Sequence, residues 1–223
     1  MQKFATAAPV STVLDIPAGR IQFIAADRTD TTVEVRPANA SKSRDVKAAE
    51  QITVDYRDGV LRIEAAPAKN RLLGNSGAVE VTVQLPAGSH VEAKAALAEL
   101  RGVGRLGDVT FEGAQATVKL DETAAARLTV QAGDITVGRL AGPTEIRTHK
   151  GDIQITDAVR GKVELRTEHG QIAVTAARGV SATLDADTAY GRIHNSLLNT
   201  EGAGAGLNIH ATTAYGDITA RSN

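Results

Sequence analysis

Cysteine is absent from the 223-residue chain. That excludes disulfides, thiolate nucleophiles and zinc–thiolate sites, and leaves the compartment open. Tryptophan is absent too, and three Phe and three Tyr are the only large aromatic residues. Sugar sites lean on broad aromatic platforms, so this poverty weighs against carbohydrate recognition. Charge of one sign is also lacking. The 25 basic and 26 acidic residues leave a net charge of −1, so nothing neutralises a run of phosphates and a nucleic-acid partner is not expected. No apolar stretch approaches the roughly 20 residues of a membrane span. The opening residues, Met1 to Val10, hold no sustained apolar segment of the kind a signal peptide needs. These absences predict a cytoplasmic protein without a membrane span, one that would reach a cell surface only by a non-standard route.

What the chain does have is small and β-branched. Hydrophobic residues make up 42%, an ordinary globular share. They are mostly Val, Ile, Leu and Ala, with abundant Thr, which suits thin, evenly spaced sheets.

The second half is repetitive. Gly133, Gly151, Gly170, Gly191 and Gly216 are each followed two residues later by isoleucine: Ile135, Ile153, Ile172, Ile193 and Ile218. The glycine spacings are 18, 19, 21 and 25 residues. Leu106-Gly107-Asp108-Val109 is a looser early member. Self-similarity at this period marks a stacked repeat. Four places after the glycines stand Val137, Ile155, Val174, Asn195 and Ala220, with polar residues such as Thr136, Gln154 and His194 between. This alternation predicts a strand with one face in. Five places before the glycines stand Leu128, Ile146, Leu165, Ala186 and Ala211, and three places before stand Val130, Thr148, Thr167, Thr188 and Thr213. A second strand therefore precedes each glycine, and the glycine turns the corner. Gly142, Gly161 and Gly179 fall about half a period later and mark the opposite corner. The rhythm is near nine residues, not the six of a left-handed hexapeptide helix. The expected fold is all-β: a right-handed parallel β-solenoid, β-helix-like, in which the five isoleucines form one buried ladder with rungs about 4.7–4.9 Å apart.

The first half is β-rich and less regular. Leu85-Pro86-Ala87-Gly88 echoes Ile16-Pro17-Ala18-Gly19, each a strand ended by a tight turn. Residues 31–36, 52–56 and 60–64 read as further strands, the last two joined as a hairpin insertion by Arg57-Asp58-Gly59. Residues 41–51 suit a short surface helix, and 69–77 a loop. No Pro- or Ser-rich linker interrupts the chain. It therefore reads as a single domain over 1–223, with 1–100 an irregular capping part and 101–223 regular Gly-x-Ile coils.

Together these motifs resemble the bacterial "putative adhesin" family of β-strand-repeat domains of unknown function. The resemblance rests on Leu-Asp-Ile-Pro-Ala-Gly at 14–19, Gln-Leu-Pro-Ala-Gly at 84–88, Gly-Arg-Leu-Gly-Asp-Val at 104–109 and the Gly-Asp-Ile repeats. It covers nearly the whole chain. It implies a β-solenoid, suggests surface exposure through the adhesin label, and carries no catalytic residues with it.

No catalytic constellation stands out. There is no Gly-x-Ser-x-Gly elbow, phosphate-binding glycine loop or His-Glu-x-x-His. Asp134, Asp152 and Asp217 share a column, but Gln171 and Arg192 stand in it too, and an arginine is foreign to a cation site. His149 and His169 lie one column apart with only Glu168 beside them, too few ligands for a metal. Asp121-Glu122, the adjacent acidic pair of the repeat half, reads as a solvated turn. Neither a cofactor nor a metal is expected, and the chain does not read as an enzyme. The candidate interaction residues are Lys150, His169, Tyr190 and Tyr215, just before the glycines, and the paired Leu72 and Leu73 of the 69–77 loop. The reading is a non-catalytic scaffold or binding module for another macromolecule, a protein. The alternatives are a carbohydrate-active enzyme on a β-helix and an exported adhesin. Ala214 to Ala220 is as regular as an interior repeat, so self-association through this C-terminal coil is a further expectation.

Overall fold

A computed structural model describes residues 1–66 and 77–223. The strands are β1 (Gln2–Ala5), β2 (Ser11–Ala26), β3 (Asp30–Pro37), β4 (Ile52–Arg57), β5 (Val60–Ala65), β6 (Val79–Pro86), β7 (His90–Ala132), β8 (Ile135–Leu140), β9 (Thr144–Lys150), β10 (Ile153–Ala158), β11 (Gly161–His169), β12 (Ile172–Ala176), β13 (Ala182–Tyr190), β14 (Ile193–Ser196), β15 (Leu207–Tyr215) and β16 (Ile218–Ser222). One helix, α1 (Ser43–Glu50), lies between β3 and β4.

The strands make a β-solenoid with two parallel ladders. One runs β5, β2, the start of β7, then the end of β7, β9, β11, β15 and β13. The other runs β6, β2, β7, β8, β10, β12, β16 and β14. The long β7 winds onto itself: Gly107 N–H donates to Ser89 O at 2.8 Å. Inward side chains of the two ladders meet in a single strip of core. Ile135, Ile153, Ile172 and Ile218 are all at most 1% exposed. They pair rung to rung as expected, Ile135 with Ile153, Ile153 with Ile172, Ile172 with Ile218 and Ile218 with Ile193. Stacking like on like at strand spacing is what rewards small β-branched residues here.

Three features differ from the expectation. First, the solenoid begins before residue 101. β2 pairs with β7 residue for residue from Ser11↔His90 to Ala25↔Gly104, so these residues form full coils. The irregular part is confined to β4, antiparallel on β5, β3, antiparallel on β6, β1 on β3, and α1. The hairpin turn at Asp58-Gly59 has positive φ at both residues, 50° and 79°, the geometry that matches strand twist. Second, Leu106-Gly107-Asp108-Val109 is not an early rung of the glycine column. The rung before Ile135 is Val118, and Gly107 sits at the opposite corner against Gly88 and His90.

Third, the coils are not stacked in chain order. The last coil in sequence, β15 and β16, lies between β11/β12 and β13/β14. The 25-residue step from Gly191 to Gly216 is the sequence trace of this: the extra residues carry the chain out and back into the slot. The other end mirrors it, with β2 between β5/β6 and β7. The C-terminal coil is therefore flanked on both sides and offers no free edge, so the expected self-association surface at Ala214 to Ala220 is not there. The outermost coil is β13/β14. Its isoleucine, Ile193, is 46% exposed because no further rung covers it.

The burial difference generates a test. Ile172→Ala leaves a cavity in closed core and should cost about 2–5 kcal/mol. Ile193→Ala, the same column at the open end, should cost under about 1 kcal/mol. Urea melts of both variants read the difference, and equal losses would mean that the stack order is wrong.

Candidate functional site

The outward corner is built by its glycines. An added Cβ on Gly151 would lie 2.2 Å from Gly133 O, on Gly170 2.0 Å from Gly151 O, on Gly216 2.0 Å from Gly170 O and on Gly191 1.9 Å from Gly216 O. Any side chain here would collide with the backbone of the next coil. Two side-chain columns lock the corner. Thr167 Oγ1 donates to Gly151 O at 3.1 Å, Thr213 Oγ1 to Gly170 O at 3.0 Å and Thr188 Oγ1 to Gly216 O at 3.0 Å. On the other side of the glycine, the Asp152 N–H donates to Asp134 Oδ1 at 2.9 Å, the Gln171 N–H to Asp152 Oδ1 at 2.7 Å and the Arg192 N–H to Asp217 Oδ1 at 2.8 Å.

The column aspartates are thus occupied with the amides of the next coil. Arg192 does not interrupt them, as the chain order suggested. It ends them, because beyond it no coil presents an amide to accept from.

In register on this corner stand four of the candidate residues. His169 pairs with Lys150 on one side and Tyr215 on the other, and Tyr215 pairs with Tyr190. The His169 and Tyr215 rings stack with centroids 4.8 Å apart and planes at 5°, and Tyr215 and Tyr190 at 4.9 Å and 4°. Ring spacing equals strand spacing, so the ladder itself imposes the stack, worth about 0.5–1.5 kcal/mol per ring pair beyond burial. Tyr215 is 50% and Tyr190 68% exposed, and among the described residues Tyr215 is the one ring stacked on Tyr190. Past Lys150 the edge falls into an open groove lined by Ala132, Gln115, Ala98 and Leu97, the last an exposed apolar side chain that the sequence reading passed over. Leu72 and Leu73 lie outside the described residues.

Among the described residues the remaining titratable groups do not converge. His149 Nδ1 lies 3.2 Å from Glu168, and His210 Nδ1 3.0 Å from Asp185, both exposed pairs. Asp121, expected in a solvated turn, lies within β7, holding Arg101 at 2.7 Å and accepting the Gly104 N–H at 3.2 Å. On the outer face, Glu145 lies between Arg127 and Arg147, and Lys162 beside Glu164 holds that carboxyl below its ordinary value. Such exposed pairs stabilise little. Among the described residues no group of three or more His, Asp or Glu is placed to hold a metal ion.

Two substitutions separate the corner's parts. Gly170→Ala drives a methyl into the next backbone and should cost at least about 3 kcal/mol. Asp152→Ala removes one solvent-facing hydrogen bond and should cost about 0.5–1.5 kcal/mol. Thermal melts rank them. A reversed ranking would show that the corner is held by its carboxylates and not by its backbone approach.

Solved structures align with this chain along nearly its whole length. A "putative adhesin" from Bacteroides fragilis aligns over 98% of this chain and 95% of its own, at 13% identity and a TM-score of 0.58. A "putative cell adhesion protein" from Clostridium sporogenes aligns over 100% and 98%, at 11% identity and 0.41. A "putative lipid binding protein" from Parabacteroides distasonis aligns over 98% and 95%, at 10% and 0.44. The likeness to the Bacteroides fragilis protein, at 13% identity, is one of fold alone. No curated protein matches the chain. A family model, Toastrack DUF4097, matches residues 11–223, from the first residue of β2 to the C-terminus. With its two ladders, its glycine corners and this match along nearly its whole length, the chain belongs to the Toastrack DUF4097 family.

Proposed function

We propose that the chain is a non-catalytic binding module that holds another macromolecule, a protein, along the Lys150–His169–Tyr215–Tyr190 edge. The observation that carries this is the exposed ring stack. Three rings are held in register by the backbone, so little side-chain entropy is lost when a partner covers them. Tyrosine supplies a broad amphipathic contact, and a rigid aromatic cluster is the composition of an interface centre. Lys150 adds a cation at one end of the stack, and the Leu97 groove extends the edge with apolar surface. The adhesin name of the Bacteroides fragilis protein with this fold supports a binding role. The aspartates most suggestive of chemistry are engaged by backbone amides, which favours binding over hydrolysis. The cytoplasm remains the proposed compartment, and export as an adhesin is the alternative.

The test compares the parent chain with Tyr190→Ala/Tyr215→Ala, each tagged and expressed in the native host, cross-linked and captured from separated cell fractions. Both rings are exposed, so the variant should melt within a few degrees of the parent. The expected result is a protein captured by the parent and reduced about tenfold or more by the variant. Equal capture by both would remove the ring stack from the function. The fraction that yields the complex reports the compartment.

A further inference from the structure

The two ends of the solenoid are treated differently. At one end β4 covers β5, β3 covers β6, β1 covers β3, and α1 packs on β3. At the other, β13 pairs only with β15 and β14 only with β16 among the described residues, and their outer edges are open. The segment after β14 closes only the start of β13, where the Ala182 N–H donates to Leu198 O at 3.0 Å. It turns back into the stack, where the Leu198 N–H donates to Ser222 Oγ and the Thr200 N–H to Ser181 Oγ. Leu197 packs on the core beside this contact, and beyond it the end of the core strip is uncovered. Leu184 and Ala186 are half-buried, and Tyr190, Ile193 and Leu198 are exposed. The edge carries neither proline nor lysine, two of the residues that guard exposed edges.

From this geometry we infer that the β13/β14 coil is the docking surface for a second copy of the chain, which caps it end to end. Charge selects the arrangement. The outward residues of β13 are Asp185 and Asp187, and β14 and its approach carry Arg192 and His194. A twofold axis across the strands would set β13 on its own copy and face aspartates with aspartates. A twofold axis along the strands sets β13 antiparallel on the partner's β14 and faces acid with base, twice over. That axis passes through the corner. The free face of Tyr190 then meets the partner's Tyr190, and the three-ring stack becomes a continuous six-ring one. Ile193 is covered in the same step, and both open edges gain a ladder. The contact is isologous and consumes both edges, so it stops at two copies. The end face is narrow, one strand pair wide, so association should fall in the range of about 1–100 µM. The inference does not depend on the binding reading: capture of a third protein at the ring edge and pairing of the coil edges are separate measurements.

Sedimentation of the untagged full chain over about 1–500 µM tests it. The parent should move from 23.2 kDa toward twice that mass as concentration rises. Ile193→Asp, at an already exposed position, should keep the fold and weaken the dimer at least about tenfold. Asp187→Arg should weaken it, and adding His194→Asp to that variant should restore it. Val46→Asp on α1, at the capped end, should leave it unchanged. A parent chain that stays monomeric throughout, an Ile193→Asp variant that dimerises as the parent does, or growth beyond two copies would each overturn the inference.

Discussion

The close approach of backbone to backbone at the glycine corner sets everything else in this structure. Gly170 sits where a methyl group would lie 2.0 Å from the carbonyl of the coil beneath it. Once that approach is made, the neighbouring columns have little freedom. Thr167, three residues before, is placed to reach the Gly151 carbonyl, the Gln171 amide after it to donate to Asp152, and Ile172, two residues on, must point inward. Hydrophobic burial supplies most of the stabilisation. The corner decides which residues are buried against which, and it turns the residue before each glycine outward.

The exposed stack of His169, Tyr215 and Tyr190 is a by-product of the same constraint. Elsewhere a protein must pack a ring from several sides to hold it still. Here a residue repeated at one column is fixed by the rungs on either side of it. A change of one residue per coil therefore redraws a surface several coils long and leaves the scaffold alone. A fold of this kind can carry unrelated surfaces on the same frame.

Most of the fold in the second half was legible in the chain because like stacks on like. The recurrence of Ile135, Ile153, Ile172, Ile193 and Ile218 names the members of a ladder without any coordinates. Recurrence does not state the order of rungs, so the exchange of the last two coils was hidden. The 25-residue step from Gly191 to Gly216 was its one trace, and a glycine-rich insert explains such a step equally well. The early coils were hidden for another reason. Alanine holds the corner at Ala98, beside Gly19, and at Ala116, beneath Gly133, so the glycine signal fades while the ladder continues. The corner residues Lys150, His169, Tyr190 and Tyr215 were recognisable from their column, but the role of the aspartates was not. Asp134 and Asp152 bond to amides one coil away, and nothing in a linear pattern distinguishes that from a stripe of free carboxylates.

Placing the first and last coils one position inboard changes how the molecule bears a load. In a solenoid stacked in chain order, tension on the two termini peels an edge strand, one hydrogen bond at a time, from a single neighbour. Here β2 is gripped by β5 and β6 on one side and by β7 on the other, while β15 and β16 are held between β11/β12 and β13/β14. Once β1, which pairs with β3 alone, has come away, a pulled end must leave both neighbours together, and each residue drawn out breaks bonds on two sides. The chain is anchored at both ends in the manner of a tucked thread, and its outermost coils shield the anchors without carrying the strain themselves.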